Sequence, residues 1–233
     1  MKILAVIPAR GGSKGVPKKN IKPLGNKPLL GYTIDSANQS EKLTTTIVST
    51  DSEEIAEIAK ANGASIPFIR PKELAEDKTP TIEVLKHAIR FFEDQGKFFD
   101  AICILQPTTP FRREGFIDEA IDKFIRTNAD TLISVLPVPH QFNPHWVFEV
   151  SDAKEGKLKI ATGEKTIIPR RQELPQSYYR DGSVYLIKTE WITKHNTLFG
   201  ETIGYIESAS DDFVNIDTME DWLKAEEIAR QYK

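Results

Sequence analysis

A single cysteine, Cys103, stands in this 233-residue chain, which excludes an intrachain disulfide framework and any cysteine-based zinc cluster. Long apolar runs are missing too. None approaches the roughly 20 residues that a membrane span requires, so no membrane association is expected. The amino terminus passes from an apolar stretch into a basic loop, the reverse of a secretory signal's order. Nor is there an excess of one charge. Lys and Arg number 31 against 34 Asp and Glu, a formal net charge of −3, which argues against non-specific nucleic-acid binding while leaving room for a local basic pocket. Hydrophobic residues at 39% and charged residues at 28% make an ordinary folded composition rather than a disordered one. A cytoplasmic globular protein is the expectation.

What is present is an alternation of short apolar runs with helical periodicity. Ile3–Ile7 is continuously apolar, as a strand covered on both faces must be. Thr46–Ser49, Ile66–Ile69, Ala101–Leu105 and Thr131–Val135 repeat the theme. Between them, Ile55, Ile58 and Ala59 mark a helix face with Ser52 as N-cap and Gly63 as stop. A second helix is predicted with Pro80 in its first turn, burying Val84, Leu85, Ala88, Ile89 and Phe92. Phe116, Ile117, Ala120, Ile121, Phe124 and Ile125 give a third. Strand and helix in this rhythm predict an α/β fold with a mainly parallel sheet. The rhythm lapses over about 137–182, which carries Pro137, Pro139, Pro144, Pro169 and Pro175 and no helical pattern. That stretch reads as an irregular or antiparallel insertion within a single domain, 1–233. Ser183–Ile187 resumes the pattern, and a helix from about Met219 to Gln231 closes it.

The first strand runs straight into Pro8-Ala9-Arg10-Gly11-Gly12-Ser13-Lys14-Gly15-Val16-Pro17-Lys18-Lys19-Asn20. Ligands of open α/β sheets bind beyond the carboxyl ends of strands, where this loop must lie. Its three glycines admit close backbone approach, and its four cations suit a polyphosphate. The spacing is neither that of a Walker loop nor G-x-G-x-x-G.

These residues resemble the signature of the acylneuraminate cytidylyltransferases, the CMP-sialic (CMP-nonulosonic) acid synthetase family. Further matches follow in order: Val48-Ser49-Thr50-Asp51; Leu105-Gln106-Pro107-Thr108-Thr109-Pro110-Phe111-Arg112; Arg170-Arg171-Gln172; Asp181-Gly182-Ser183-Val184-Tyr185; and Ile216-Asp217-Thr218 with Asp221. The resemblance spans essentially the whole chain. It implies a Rossmann-like nucleotidyltransferase fold, CTP as substrate with Mg²⁺, a homodimer, and transfer of CMP to a nonulosonic 2-keto sugar acid with release of pyrophosphate. A shorter, octulosonate-type sugar acid and a non-catalytic CTP-binding protein are the alternatives.

By the same resemblance, Arg10, Lys14 and Lys19 take the triphosphate, with Ser13 and the Gly11 and Gly12 amides beside them, while Lys18 and Lys22 read as solvated charge. Asn20, Arg70, Asp77, Thr79, Thr81 and Gln106 surround the nucleoside. For Thr79 the residues leave a second reading open, a helix cap before Pro80. Gln106 and Thr108, with Arg170, Arg171, Gln172, Tyr178, Tyr179 and Asp181, are the sugar-side set. If the segment is extended, adjacent residues face opposite ways, so one of Arg170 and Arg171 is expected at the sugar carboxylate, and Arg171 is favoured. The tyrosines serve equally well as packing. Metal binding falls to Asp217 and Asn215, and here the chain departs from the family's Asp-x-Asp, since Asn215 supplies no charge. Thr218 and Asp221 spell a capping box, which leaves Asp217 unoccupied by the helix. No general base stands out.

Overall fold

The computed structural model describes residues 1–208 and 213–231. In chain order its elements are β1 (Ile3–Pro8), β2 (Pro23–Leu24), β3 (Lys27–Pro28), α1 (Leu29–Asn38), β4 (Thr45–Ser49), α2 (Glu53–Ala61), α3 (Thr81–Glu93) and β5 (Ala101–Ile104). Then come α4 (Phe116–Thr127), β6 (Thr131–Pro137), β7 (Phe148–Asp152), β8 (Lys157–Ile160), β9 (Tyr178–Lys188), α5 (Thr189–Thr193), β10 (Ile203–Glu207) and α6 (Met219–Ala229). The chain forms two compact units, one of residues 1–134 with 181–233 and one of 135–180.

The first unit is built on a six-stranded sheet in the order β10-β6-β9-β5-β1-β4. Strand β1 pairs in parallel with β4 and with β5, and β9 joins antiparallel to β5. The apolar run of β1 follows from burial on both faces. Ile3, Ala5 and Ile7 pack with Leu30 and Ile34 of α1, Ile55 of α2 and Phe116, Ile121 and Phe124 of α4. Leu4 and Val6 face the other way, into Leu85, Ala88, Ile89 and Phe92 of α3. Side chains alternate along a strand, so a central strand between two helical layers must be apolar at every position. Cys103 shares this burial, which pushes its thiol up to about 12 and leaves it an inert small hydrophobe.

A third cluster matters most for the site. Val16 of the basic loop buries beside Leu24, Leu29, Val214, Ile216 and Trp222, the last fully enclosed on α6. The loop after β1 is therefore anchored to the C-terminal segment by apolar packing, not left to solvent.

Three local expectations are corrected. Ile66–Ile69 is not a strand. Only Ser65 makes a bridge, to Ile47 of β4, because Pro67 has no N–H to continue a ladder. Pro80 stands at the N-cap of α3, one residue before the helix. The hydroxyl of Thr79 donates to the Glu73 carbonyl at 3.0 Å instead of capping. By contrast, Ser52 caps α2 and Thr218 with Asp221 closes a reciprocal capping box on α6.

The second unit contains the antiparallel hairpin β7–β8. Pairing sets Phe148 opposite Ile160 and Val150 opposite Leu158 on one face, with the Glu149–Lys159 ion pair between them on the other. Phe148, Val150 and Leu158 are 48%, 65% and 60% exposed, an apolar face with little cover of its own. Elsewhere in this unit the Trp146 indole donates to Ile168, and His145 pairs with Glu164.

Candidate active site

Because β1, β4 and β5 run parallel, the segments that follow them emerge at one edge of the sheet. There they enclose a cleft of about 470 Å³. Arg10, Ser13, Lys14, Lys19 and Asn20 line it from the loop after β1. Arg70, Asp77, Thr79 and Thr81 contribute from the stretch leading into α3, and Gln106 and Thr108 from the turn after β5. Asn215 and Asp217 bring in the segment before α6. Gly15, Leu74 and Glu76 also line the cleft. Sequence reading passes over Leu74 and Glu76, since the turns between Arg70 and Pro80 have no periodicity to interpret.

The basic loop is held in shape by its own residues. Buried Asn20 donates its amide to the Arg10 carbonyl at 2.9 Å, and Lys18 adopts the left-handed conformation with φ 52°. The Gly11 amide donates to Asp51 Oδ1 at 2.9 Å. It is thus committed to β4's end, a correction to the expectation that this amide faces phosphate. Gly15 is needed for a different reason. A Cβ there would lie 1.9 Å from the Asp217 carbonyl oxygen, so only glycine lets the loop touch the segment before α6. Lys19 completes that seam, donating to the Ile216 carbonyl at 2.6 Å and lying 3.2 Å from Asp217 Oδ1.

Cations dominate the cleft. Asp77 pairs with Arg10 at 2.9 Å and with Lys14, and the Lys14 ammonium, reinforced by Arg10, holds its carboxyl below the usual carboxylate range. A carboxylate resting between two cations marks where a phosphate oxygen can bind. Arg70 is 3% exposed. Burial lowers its pKa against the opposing effect of Asp51, whose nearest oxygen is 3.7 Å away. Its Nε and Nη2 are buried without a hydrogen-bond partner, a costly state that a ligand carbonyl or phosphate oxygen relieves. His87 lies edge-on to Phe68 with ring centroids 4.5 Å apart, and burial lowers its pKa, as does Arg70.

Gln106 enters the cleft from a braced turn. Arg112, 8% exposed, donates to the Gln106 carbonyl at 2.7 Å, to Thr109 Oγ1 at 3.2 Å, to Thr33 Oγ1 at 2.9 Å and to the Ser183 carbonyl at 2.8 Å. Burial brings this guanidinium down to about 10, still charged at neutral pH. Gly182, at φ +88°, leaves room for the Gln106 side chain; a Cβ there would sit 2.7 Å from Oε1. Asp181 is buried, accepting from Ser134 Oγ, from the Ser183 amide at 3.0 Å and from Ser183 Oγ at 3.0 Å. Its carboxylate braces the β9 segment instead of facing a sugar, which corrects its assignment to the pocket.

The other sugar-side residues belong to the second unit. Arg170 is exposed and 3.6 Å from Glu173, and Arg171 and Gln172 form an exposed helical turn with Glu173. Tyr178 and Tyr179 begin β9.

At Asp217, Oδ2 accepts the Asn215 amide at 2.9 Å while Oδ1 faces Lys19. No group of three His, Cys, Asp or Glu poised to hold a metal exists among the described residues. One carboxylate and one amide oxygen suit a hard cation whose remaining ligands come from phosphates and water.

A family profile described as cytidylyltransferase matches residues 4–220. The chain is 33% identical to a CMP-N,N′-diacetyllegionaminic acid synthase of Legionella pneumophila, over 98% of this chain and 96% of that protein. It is 29% identical to a pseudaminic acid cytidylyltransferase of Campylobacter jejuni, over 95% and 93% respectively. Among solved structures, a CMP:2-keto-3-deoxy-manno-octonic acid synthetase complexed with CTP superposes with a TM-score of 0.75 at 16% identity, covering 100% of both chains.

Proposed function

This chain belongs to the cytidylyltransferase family, and from that premise we propose that it joins CMP from CTP to the anomeric hydroxyl of a nonulosonic 2-keto sugar acid, releasing pyrophosphate. The hydroxyl oxygen attacks the α-phosphorus, the bond from that phosphorus to the oxygen bridging it to the β-phosphorus breaks, and the hydroxyl proton passes to water. Negative charge then grows on the departing pyrophosphate, so positioned cations are the main catalytic resource. The observation that carries the reading is the gathering of Arg10, Lys14, Lys19 and Arg70 around one cleft. Arg10 and Lys14 exchange Asp77 for phosphate oxygens. Gln106 and the unsatisfied Arg70 read the base. Two relatives that span nearly this whole chain are named for legionaminic and pseudaminic acid, which favours that class over the octulosonates.

Asp217 and Asn215 fit a Mg²⁺ that arrives with the triphosphate. Bound there, Mg²⁺ supplies charge neutralisation for the phosphates. The sugar carboxylate is assigned to Arg171, with Gln172 and the tyrosines beside it. The exposed Phe148, Val150 and Leu158 face supports a homodimer, the second copy covering what the hairpin leaves open.

The test is pyrophosphate release with CTP and Mg²⁺ against N-acetylneuraminic, legionaminic, pseudaminic and octulosonic acids, with ATP, GTP and UTP as controls. Release is expected with CTP and a nine-carbon acid. Release with octulosonic acid alone reassigns the substrate, and CTP binding without release from any acid overturns the catalytic reading.

A further inference from the structure

The geometry points to Arg112 as a positioning residue that fixes the backbone from which the Gln106 side chain enters the cleft and thereby sets the preference for cytosine over uracil. This rests on the reading of Gln106 as a base contact. The two pyrimidines differ only in the polarity of one edge, where cytosine offers an amino donor beside N3 and uracil a carbonyl beside N3–H. A glutamine amide carries a donor and an acceptor side by side and serves either base if it is free to shift or flip. Discrimination therefore depends on what holds that amide, and a held polar group rejects the mismatched ligand because a buried pair is left unmade.

One guanidinium braces the backbone on both sides of this side chain. Arg112 Nη2 donates to the backbone carbonyl of Gln106, and Nε to the backbone carbonyl of Ser183, next to Gly182, where a Cβ would sit 2.7 Å from Gln106 Oε1. Thr109 Oγ1, 3.2 Å from Nη2, donates to the Gly182 carbonyl at 3.2 Å and closes the brace. The remaining nitrogen, Nη1, is spent on Thr33 of α1, away from the turn. Arg112 itself does not line the cleft. The planar, five-donor fork accounts for arginine here, because lysine cannot span four acceptors in fixed directions.

Thr33 and Thr109 make a matched test, since both are buried hydroxyls accepting from the same guanidinium. The ratio of kcat/KM for CTP to that for UTP is measured in Thr109→Val, Thr33→Val, Arg112→Lys and Gln106→Ala, alongside melting temperatures. Thr109→Val and Arg112→Lys are expected to lower the ratio by roughly tenfold or more, while Thr33→Val loses a similar amount of thermal stability with the ratio intact. A merely structural Arg112 would lower stability in all three and leave the ratio alone, and that result overturns the proposal. Should Arg112→Lys fail to fold, the comparison of the two threonines decides. An unchanged ratio in Gln106→Ala overturns the base-reading role of Gln106, and the proposal with it. A lowered ratio there, beside unchanged ratios in Thr109→Val and Arg112→Lys, overturns the proposal alone.

Discussion

At Gly15 the absence of a side chain is the functional feature. A Cβ placed 1.9 Å from the Asp217 carbonyl must push the basic loop away from the segment before α6. Gly15→Ala should therefore cost about 1–3 kcal/mol in stability from overpacking. It should also lower kcat/KM by on the order of a hundredfold, because displacing catalytic groups by an ångström has that effect. Thermal melting and steady-state kinetics check both, and full activity would mean the seam is not part of the site. Asn215 poses a sharper question. Its amide donates to Asp217 Oδ2, so Asn215→Asp replaces an attractive contact by two adjacent carboxylates that need a cation between them. The expected result is tighter Mg²⁺ binding in the presence of CTP by roughly tenfold, read by calorimetric titration. Unaltered binding would remove residue 215 from the metal site.

At the scale of elements, caps and hydrogen-bonded carboxylates carry testable energies. Thr218→Ala breaks the capping box of α6 and should cost about 1 kcal/mol, or about 2–4 °C in melting temperature for a chain of this length. Asp130 binds the start of β6 to its neighbours through Lys188 Nζ and the Thr202 amide and hydroxyl. Those donors, Lys188 foremost, hold its carboxyl well below the ordinary value of 3.8. Its stabilising contribution is complete above that value and is lost as pH falls through the lower folded one. Asp130→Asn should therefore melt a few degrees below the native chain at pH 7, and the gap should close below pH 3.8. A gap that stays constant with pH would locate the effect in packing.

Elements were legible in the sequence where one physical rule governed them. The strand at Ile3–Ile7 and the helix at Phe116–Thr127 follow from two-sided and one-sided burial. Ile66–Ile69 has equal apolarity but carries Pro67, and the missing N–H outweighs the pattern. In the cleft, the loop Arg10–Asn20 and the turn at Gln106 were readable because strand ends of a parallel sheet converge. Asp181, the Gly11 amide and the Arg112 brace were not. Their roles depend on which neighbour takes their hydrogen bonds, and that neighbour lies up to 79 residues away.

For the molecule as a whole, the β7–β8 hairpin gives the prediction. Two apolar residues at 65% and 60% exposure are unusual on a two-stranded ribbon, which gains little stability alone. Val150→Lys with Leu158→Lys should convert a dimer into a monomer of unchanged melting cooperativity, checked by light scattering. A native chain that already scatters as a monomer would end the proposal.

The seam between Gly15, Lys19 and the Ile216–Asp217 segment joins positions about two hundred residues apart in the chain. Such a contact closes late in folding, since the loop entropy of joining distant segments must be overcome before the contact contributes. A ribosome therefore makes the basic loop about two hundred residues before its partner segment. Until α6 emerges, Val16 has Leu24 and Leu29 beside it but neither Ile216 nor Trp222, and the nascent chain carries a cation-rich loop without a formed cleft around it. The cleft thus depends on a contact that forms only after about two hundred further residues have been made.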